Sequence, residues 1–350
     1  MTQTVTFTND VSAHLSAVFD KMQPSSLLVL VDDNTRQLVL PQLNDALGNA
    51  TIISIPAGEQ HKSIESVIQV WKEMVAAGAT RQAVMVNVGG GTVTDLGGFA
   101  ASTFKRGIRF INVPTTVLGA VDAAIGGKTG IDFDGLKNDI GVFRPADAVI
   151  ISSCFFETLP QQEIKSGFAE MIKHAMLDSL GEFSRLLDFD LDGCDGVSCL
   201  PMLEKSVRIK QDIVGSDPLE KGPRRALNLG HTVGHALESF SLDCGKPVTH
   251  GHAVACGLIA EAVLSHMIHK FPSNLLHRLA TFVRDYYGAV NITCKDYPAL
   301  LDLMHHDKKS RKGEINCTLL RQCGDCVIDN AVSDDDMMAA LDIYRDLMGI

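Results

Sequence analysis

Ala83-Val84-Met85-Val86-Asn87-Val88-Gly89-Gly90-Gly91-Thr92-Val93-Thr94-Asp95 reads as a buried strand, a tight turn and the opening of a small-residue helix. A short apolar run ending on glycine suits a strand covered on both faces, the environment of a parallel sheet. The three glycines bring backbone close to whatever lies at the strand end, and the N–H groups of the following helix start form an anion site. The spacing is not G-x-G-x-x-G, so the run taken alone suits either a dinucleotide diphosphate or a turn that holds nothing.

The same alternation extends outward on both sides. Leu27 to Val31, a helix over about Arg36 to Leu47, Thr51 to Ile55 and a helix over about Ile64 to Ala77 precede the turn, and the run Arg109 to Val113 follows it. Strands alternating with helical segments predict an α/β domain with a parallel sheet. After Pro160 long helical patterns dominate, over Gln161 to Asp178, Pro201 to Gly215, Gly251 to His269 and Asn274 to Tyr287. The chain therefore divides into a nucleotide-binding α/β domain at 1–160 and a mostly helical domain at 161–350.

Composition narrows the function classes. With 350 residues and 45% hydrophobic content, the chain can bury the cores of two domains. A net charge of −11 argues against a nucleic-acid partner, while leaving room for a few cations focused on a small anionic substrate. Apolar runs such as Leu27 to Val31 are far shorter than the ~20 residues of a membrane helix, and the polar start carries no signal-peptide pattern. Nine cysteines in irregular positions fit a reducing cytoplasm better than a secreted disulfide framework. Cys323 and Cys326 form a C-x-x-C between strand-like runs, with no second pair to complete a zinc site.

Five histidines and a glutamate stand out in the helical half. Glu170 and His174 lie at i, i+4 beside Lys173, His231 and His235 repeat that spacing, and His250 and His252 flank Gly251. Nitrogen and carboxylate donors at helix starts suit a zinc-like ion. Spacing alone nominates His231 with His235 as two ligands on one helix face, but His-Glu-x-x-His is missing, so a zinc-protease reading falls.

Three blocks then agree with one another. Gly89 to Phe99 with Lys105-Arg106-Gly107, Val113 to Thr116 with Val121 to Gly130 and Gly135 to Asn138, and Ala226 to His235 resemble, in that order, the signature of 3-dehydroquinate synthases. That resemblance implies an NAD-binding α/β domain followed by a helical metal-binding domain. It assigns the metal, zinc or cobalt, to Glu170, His231 and His250, and moves His235 to a polar position beside the substrate. NAD would meet Asp32, Glu59, Lys62, Gly90, Gly91, Asp95, Thr115, Thr116, Lys128 and Lys137. Substrate and catalytic contacts would come from Arg106, Asp122, Lys128, Asn138, Lys173, Lys210, Arg224, Asn228, His235 and Lys308 or its neighbour Lys309. Where the family usually has His-Gly-Glu, this chain has His250-Gly251-His252, so His252 either joins the metal or removes a negative charge beside it.

The implied reaction converts 3-deoxy-D-arabino-heptulosonate 7-phosphate into 3-dehydroquinate and phosphate, a step toward aromatic amino acids. Oxidising the C5 alcohol with bound NAD acidifies the neighbouring C6 proton. Phosphate then leaves, the same cofactor returns its hydride, and an aldol step closes the ring, so NAD is catalytic. The partner implied is a small anionic sugar-acid phosphate, with a homodimer by family analogy. Rival readings are another sugar phosphate cyclase and a metal-dependent alcohol or glycerol dehydrogenase, which would release NADH.

Overall fold

The computed structural model describes residues 3–134, 136–306 and 314–350, and its chain groups into two compact units. The first comprises residues 1–160 with 195–211, and the second 161–194 with 212–350. Residues 195–211, expected in the helical half, therefore cluster with the first unit.

The first unit runs β1 (Thr4–Phe7), α1 (Val11–Met22), β2 (Leu27–Asp32), α2 (Asp33–Leu38), α3 (Asn44–Leu47), β3 (Thr51–Ile55), α4 (Ile64–Ala76), β4 (Val84–Gly89) and α5 (Gly91–Thr103). It continues with β5 (Arg109–Pro114), a hairpin of β6 (Lys128–Phe133) and β7 (Leu136–Phe143), and β8 (Ala148–Ile151). Among the described residues, six strands form one parallel sheet in the order β1-β8-β5-β4-β2-β3. β4 is buried along its whole length, and apart from Asn87, which donates to Asn112 Oδ1 on β5 at 2.8 Å, its sequence is apolar without alternation, as suits a strand covered on both faces.

One expected helix is broken. Pro41 lacks an N–H and disfavours helical geometry at the residue before it, so the chain leaves α2 and crosses a 3-10 turn at Leu40–Leu43 before resuming as α3. After α5, Lys105 and Arg106 both adopt left-handed backbone (φ 49° and 69°), an uncommon choice for residues with a Cβ.

In the second unit, α6 (Gln161–Asp178) and α7 (Leu180–Leu187) precede α8 (Leu200–Ser216), which passes from one unit to the other along its length. Then come α9 (His231–Asp243), α10 (His250–His269), α11 (Ser273–Tyr286) and α12 (Tyr297–His305), an antiparallel hairpin of β9 (Ile315–Gln322) and β10 (Asp325–Val332), and α13 (Asp334–Met348). α10 is long and apolar enough to cross a membrane, but 78% of its apolar window is buried inside the protein, so it serves as a core helix. Cys323 lies at the turn of the β9–β10 hairpin and Cys326 on β10, and none of the nine cysteines is in a disulfide.

Candidate metal centre and anion-binding groups

Close helix packing assembles the metal-binding candidates. α10 passes so near α6 that a Cβ on Gly251 would lie 2.0 Å from the Ser166 backbone oxygen. It passes equally near α9, where a Cβ on Gly257 would lie 2.1 Å from the Gly230 oxygen and 2.6 Å from the Gly234 nitrogen. Only glycine permits backbones this close. Three helices that each carry one donor are thus drawn together: Glu170 on α6, His231 at the start of α9 and His250 at the start of α10.

Their donor atoms lie within 4.8 Å of one another. His231 Nε2 stands 3.3 Å, and His250 Nε2 3.4 Å, from the same carboxylate oxygen, Glu170 Oε1. The other ring nitrogens are already committed. His231 Nδ1–H donates to the Leu229 carbonyl at 3.0 Å, and His250 Nδ1–H donates to Glu238 Oε2 at 3.3 Å. With both Nδ1 atoms donating, each neutral imidazole presents a lone pair to a carboxylate lone pair, an arrangement that needs a proton or a cation in the middle. Glu170 is fully buried, and neither of its oxygens accepts a well-aligned hydrogen bond. These three residues fit a divalent ion that takes nitrogen and carboxylate donors, with imidazoles oriented by partners on their far sides.

The electrostatics favour the ligating forms of Glu170 and His231 and place the shared proton on His250. Burial opposes ionisation of Glu170, but the adjacent Lys173 ammonium and the two imidazoles outweigh it and hold the carboxyl well below the usual range. Burial, reinforced by Lys173, pushes His231 down, which favours its neutral, ligating form. For His250, burial also lowers the pKa, but Glu170 and Glu238 overcome it and raise the group to about 10.

His235 packs with its ring centroid 5.2 Å from that of His231 and 5.9 Å from that of His250, beside the cluster whose donors converge on Glu170. His252 turns away. Its Nε2–H donates to the Gly288 carbonyl at 3.1 Å and its ring lies against Tyr287, so the Glu-to-His departure tethers α10 to the end of α11. Arg224 is buried, donating from Nη1 to the Pro218 carbonyl at 2.7 Å, while Asn228 is half-buried on the turn leading to α9. Lys308 and Lys309 lie outside the described residues.

In the first unit, the glycine turn leaves the start of α5 without a side-chain cap, since its N-cap is Gly90. Thr115 N–H donates to the Gly89 carbonyl at 3.0 Å, placing the Thr115-Thr116 segment at the same end of the sheet. An uncapped helix start of this kind suits the diphosphate of a dinucleotide. Beside it, buried Lys62 donates to Asn138 Oδ1 at 2.7 Å and meets Asp95 at 3.5 Å and Asp132 at 3.7 Å. Burial raises the Asp95 carboxyl to about 6 despite Lys62. Lys137 pairs with Glu59 at 3.2 Å, and Lys210 donates to the Asp122 carbonyl at 2.6 Å and pairs with its carboxylate. Asp32 caps α2 through the Thr35 N–H at 2.7 Å, so one carboxylate oxygen already has a structural task. Arg106 and Lys128 are exposed.

Glu238 and Asp132 escaped the sequence reading. Glu238 was within reach of it, because His231, His235 and Glu238 stand at i, i+4 and i+7 and share one helix face. Asp132 gave no such signal, since its link to Lys62 spans the sheet and the hairpin.

An α/β unit with an uncapped, glycine-opened helix at its sheet end, together with a helical unit in which Glu170, His231 and His250 converge, defines a candidate metal- and nucleotide-binding enzyme. The profile for the 3-dehydroquinate synthase N-terminal region matches residues 52–166, and that for the C-terminal region matches residues 167–310. The chain belongs to the 3-dehydroquinate synthase family. It is 42% identical to the 3-dehydroquinate synthase of Parabacteroides distasonis over 99% of both chains, and 40% identical to that of Pyrococcus abyssi over 86% of this chain and 88% of the other. Among solved structures, the 2-epi-5-epi-valiolone synthase of Streptomyces hygroscopicus, with NAD+ and Zn2+ bound, superposes with a TM-score of 0.87. It is 27% identical, with 99% of this chain and 97% of that one covered.

Proposed function

We infer that this chain closes 3-deoxy-D-arabino-heptulosonate 7-phosphate into 3-dehydroquinate with release of phosphate, in the shikimate route to aromatic amino acids. The observation that carries the reading is the convergence of Glu170, His231 and His250 in a chain 42% identical, end to end, to a 3-dehydroquinate synthase. A zinc or cobalt ion at this centre would supply a Lewis acid, and bound NAD a reversible hydride acceptor.

The chain's own residues divide the remaining work. Glu170, His231 and His250 hold the ion. Gly90, Gly91, Thr115 and Thr116 receive the dinucleotide at the start of α5, with Asp32, Glu59, Lys62, Asp95, Lys128 and Lys137 around it. Arg106, Lys128, Asn138 and Lys173 grip the substrate phosphate, where charge-assisted hydrogen bonds are strongest. Lys210, Arg224 and Lys308 meet the carboxylate and hydroxyls, with Asp122 accepting a hydrogen bond. His235, supported by Asn228, moves the proton of the alcohol, since imidazole titrates near neutrality. We place the enzyme in the cytoplasm, as a homodimer, consistent with cysteines that form no disulfide.

The deciding assay incubates the protein with the heptulosonate phosphate, a divalent metal and NAD far below the substrate concentration. Phosphate release should exceed the NAD present many-fold. Stoichiometric accumulation of NADH would point instead to a dehydrogenase, and absence of phosphate release would overturn the reading.

A further inference from the structure

Beyond the metal-binding candidates, α10 carries one carboxylate, directed at α9. Glu261 is fully buried. Its Oε2 accepts the Gly230 N–H at 2.7 Å, and its Oε1 accepts the Thr232 and Val233 N–H groups at 3.0 and 3.3 Å. These donors lie at the first turn of α9, where Gly230 has no side chain with which to cap the helix. The cap is supplied by a neighbouring helix instead.

The peptide between Leu229 and Gly230 gives this contact a further consequence. Its N–H donates to Glu261, and its carbonyl accepts the Nδ1–H of His231. In a trans peptide these two groups point in opposite directions, so one rigid plane links Glu261 to the imidazole. Negative charge at one end polarises the peptide and makes the Leu229 oxygen a better acceptor, which raises the basicity of His231 Nε2. Glu261 also shares α10 with His250, three helical turns away, or about 16 Å along the axis. A single helix thus bears one donor of the cluster and anchors the orientation of another.

We propose that Glu261 is a positioning residue for the metal centre, acting on His231 through the Leu229–Gly230 peptide. This rests on the assignment of Glu170, His231 and His250 as ligands. The test measures zinc affinity by competition with a chromophoric chelator, and the visible absorption of the cobalt-loaded protein, for wild type, Glu261→Gln, Glu261→Asp and Glu170→Ala. Glu261→Gln should weaken zinc binding ~10–100-fold and shift the cobalt bands, because an amide cannot accept at both oxygen positions. Glu261→Asp, which keeps the charge on a shorter arm, should fall between it and wild type.

Zinc affinity within about twofold of wild type and unchanged cobalt bands in folded Glu261→Gln would show a helix cap and nothing more, even if its Tm fell. Should Glu261→Gln aggregate, Glu261→Asp decides alone, and wild-type affinity there overturns the proposal. If Glu170→Ala retains wild-type affinity, the ligand assignment itself is wrong, and the role of Glu261 goes with it.

Discussion

Replacing Gly257 by alanine tests whether the proposed metal centre depends on the close approach of α9 and α10. The added Cβ would lie 2.1 Å from the Gly230 oxygen, whereas ordinary contact begins near 3.4 Å. The obstructing atoms are backbone, so no side chain can swing aside, and the helices must part by about 1 Å, an overpacking that costs ~1–3 kcal/mol or more. Alanine returns up to about 1 kcal/mol through helix propensity, leaving a net loss of roughly 1–2 kcal/mol.

The effect on metal should be larger than the effect on folding. Metal–ligand distances tolerate only ~0.2 Å, so a shift of His231 against His250 several times greater should reduce zinc affinity at least ~10-fold. Urea denaturation and chelator competition measure the two effects separately. Gly215→Ala on α8, where a Cβ meets open space, controls for helix propensity and should leave zinc binding unchanged. A Gly257→Ala protein with wild-type zinc affinity would refute the reasoning, because the packing would then be irrelevant to the site.

Further tests bear on the remaining groups. Glu170→Ala should lower zinc affinity by more than the ~10–100-fold typical of losing an outer partner, read as metal content after dialysis. Chelation should abolish phosphate release, and added zinc or cobalt should restore it. A metal-free preparation that still turned over would count against the centre. Asp95, raised to about 6 when folded, keeps its proton between its ordinary range and that value while the unfolded chain has lost it. Its contribution to stability is therefore present at low pH and lost as pH rises through about 6. For a side chain 17% exposed, this amounts to ~2 kcal/mol. The unfolding free energy of wild type minus that of Asp95→Asn should fall by that amount between pH 4 and 7, and a flat difference would remove Asp95 as the titrating group.

The parallel sheet was legible because strands covered on both faces are almost wholly apolar, as Leu27 to Val31 of β2 and, apart from the buried Asn87, β4 illustrate. The helix expected over 36–47 misled because an apolar pattern outweighed Pro41, whose missing N–H is a backbone property. Spacing within one helix nominated His231 with His235, whereas the cluster in the structure draws one donor from each of three helices. Convergence of that kind depends on helix approach, encoded in glycines such as Gly251 and Gly257 that look unremarkable in sequence. The family resemblance nominated Glu170, His231 and His250 as ligands without that knowledge, but said nothing of Glu261.

α10 is buried almost continuously from Gly251 to Ser265, with no polar stripe to tell it which way to face. A helix apolar on every side gains nearly the same hydrophobic energy at any rotation about its axis. Its angular setting must come from elsewhere: the two glycine contacts, the Glu261 carboxylate and the His252 tether. These features act as detents on an otherwise smooth rod. Polar and small residues along α10 therefore define the direction in which His250 points, while the apolar majority only keeps the rod in place.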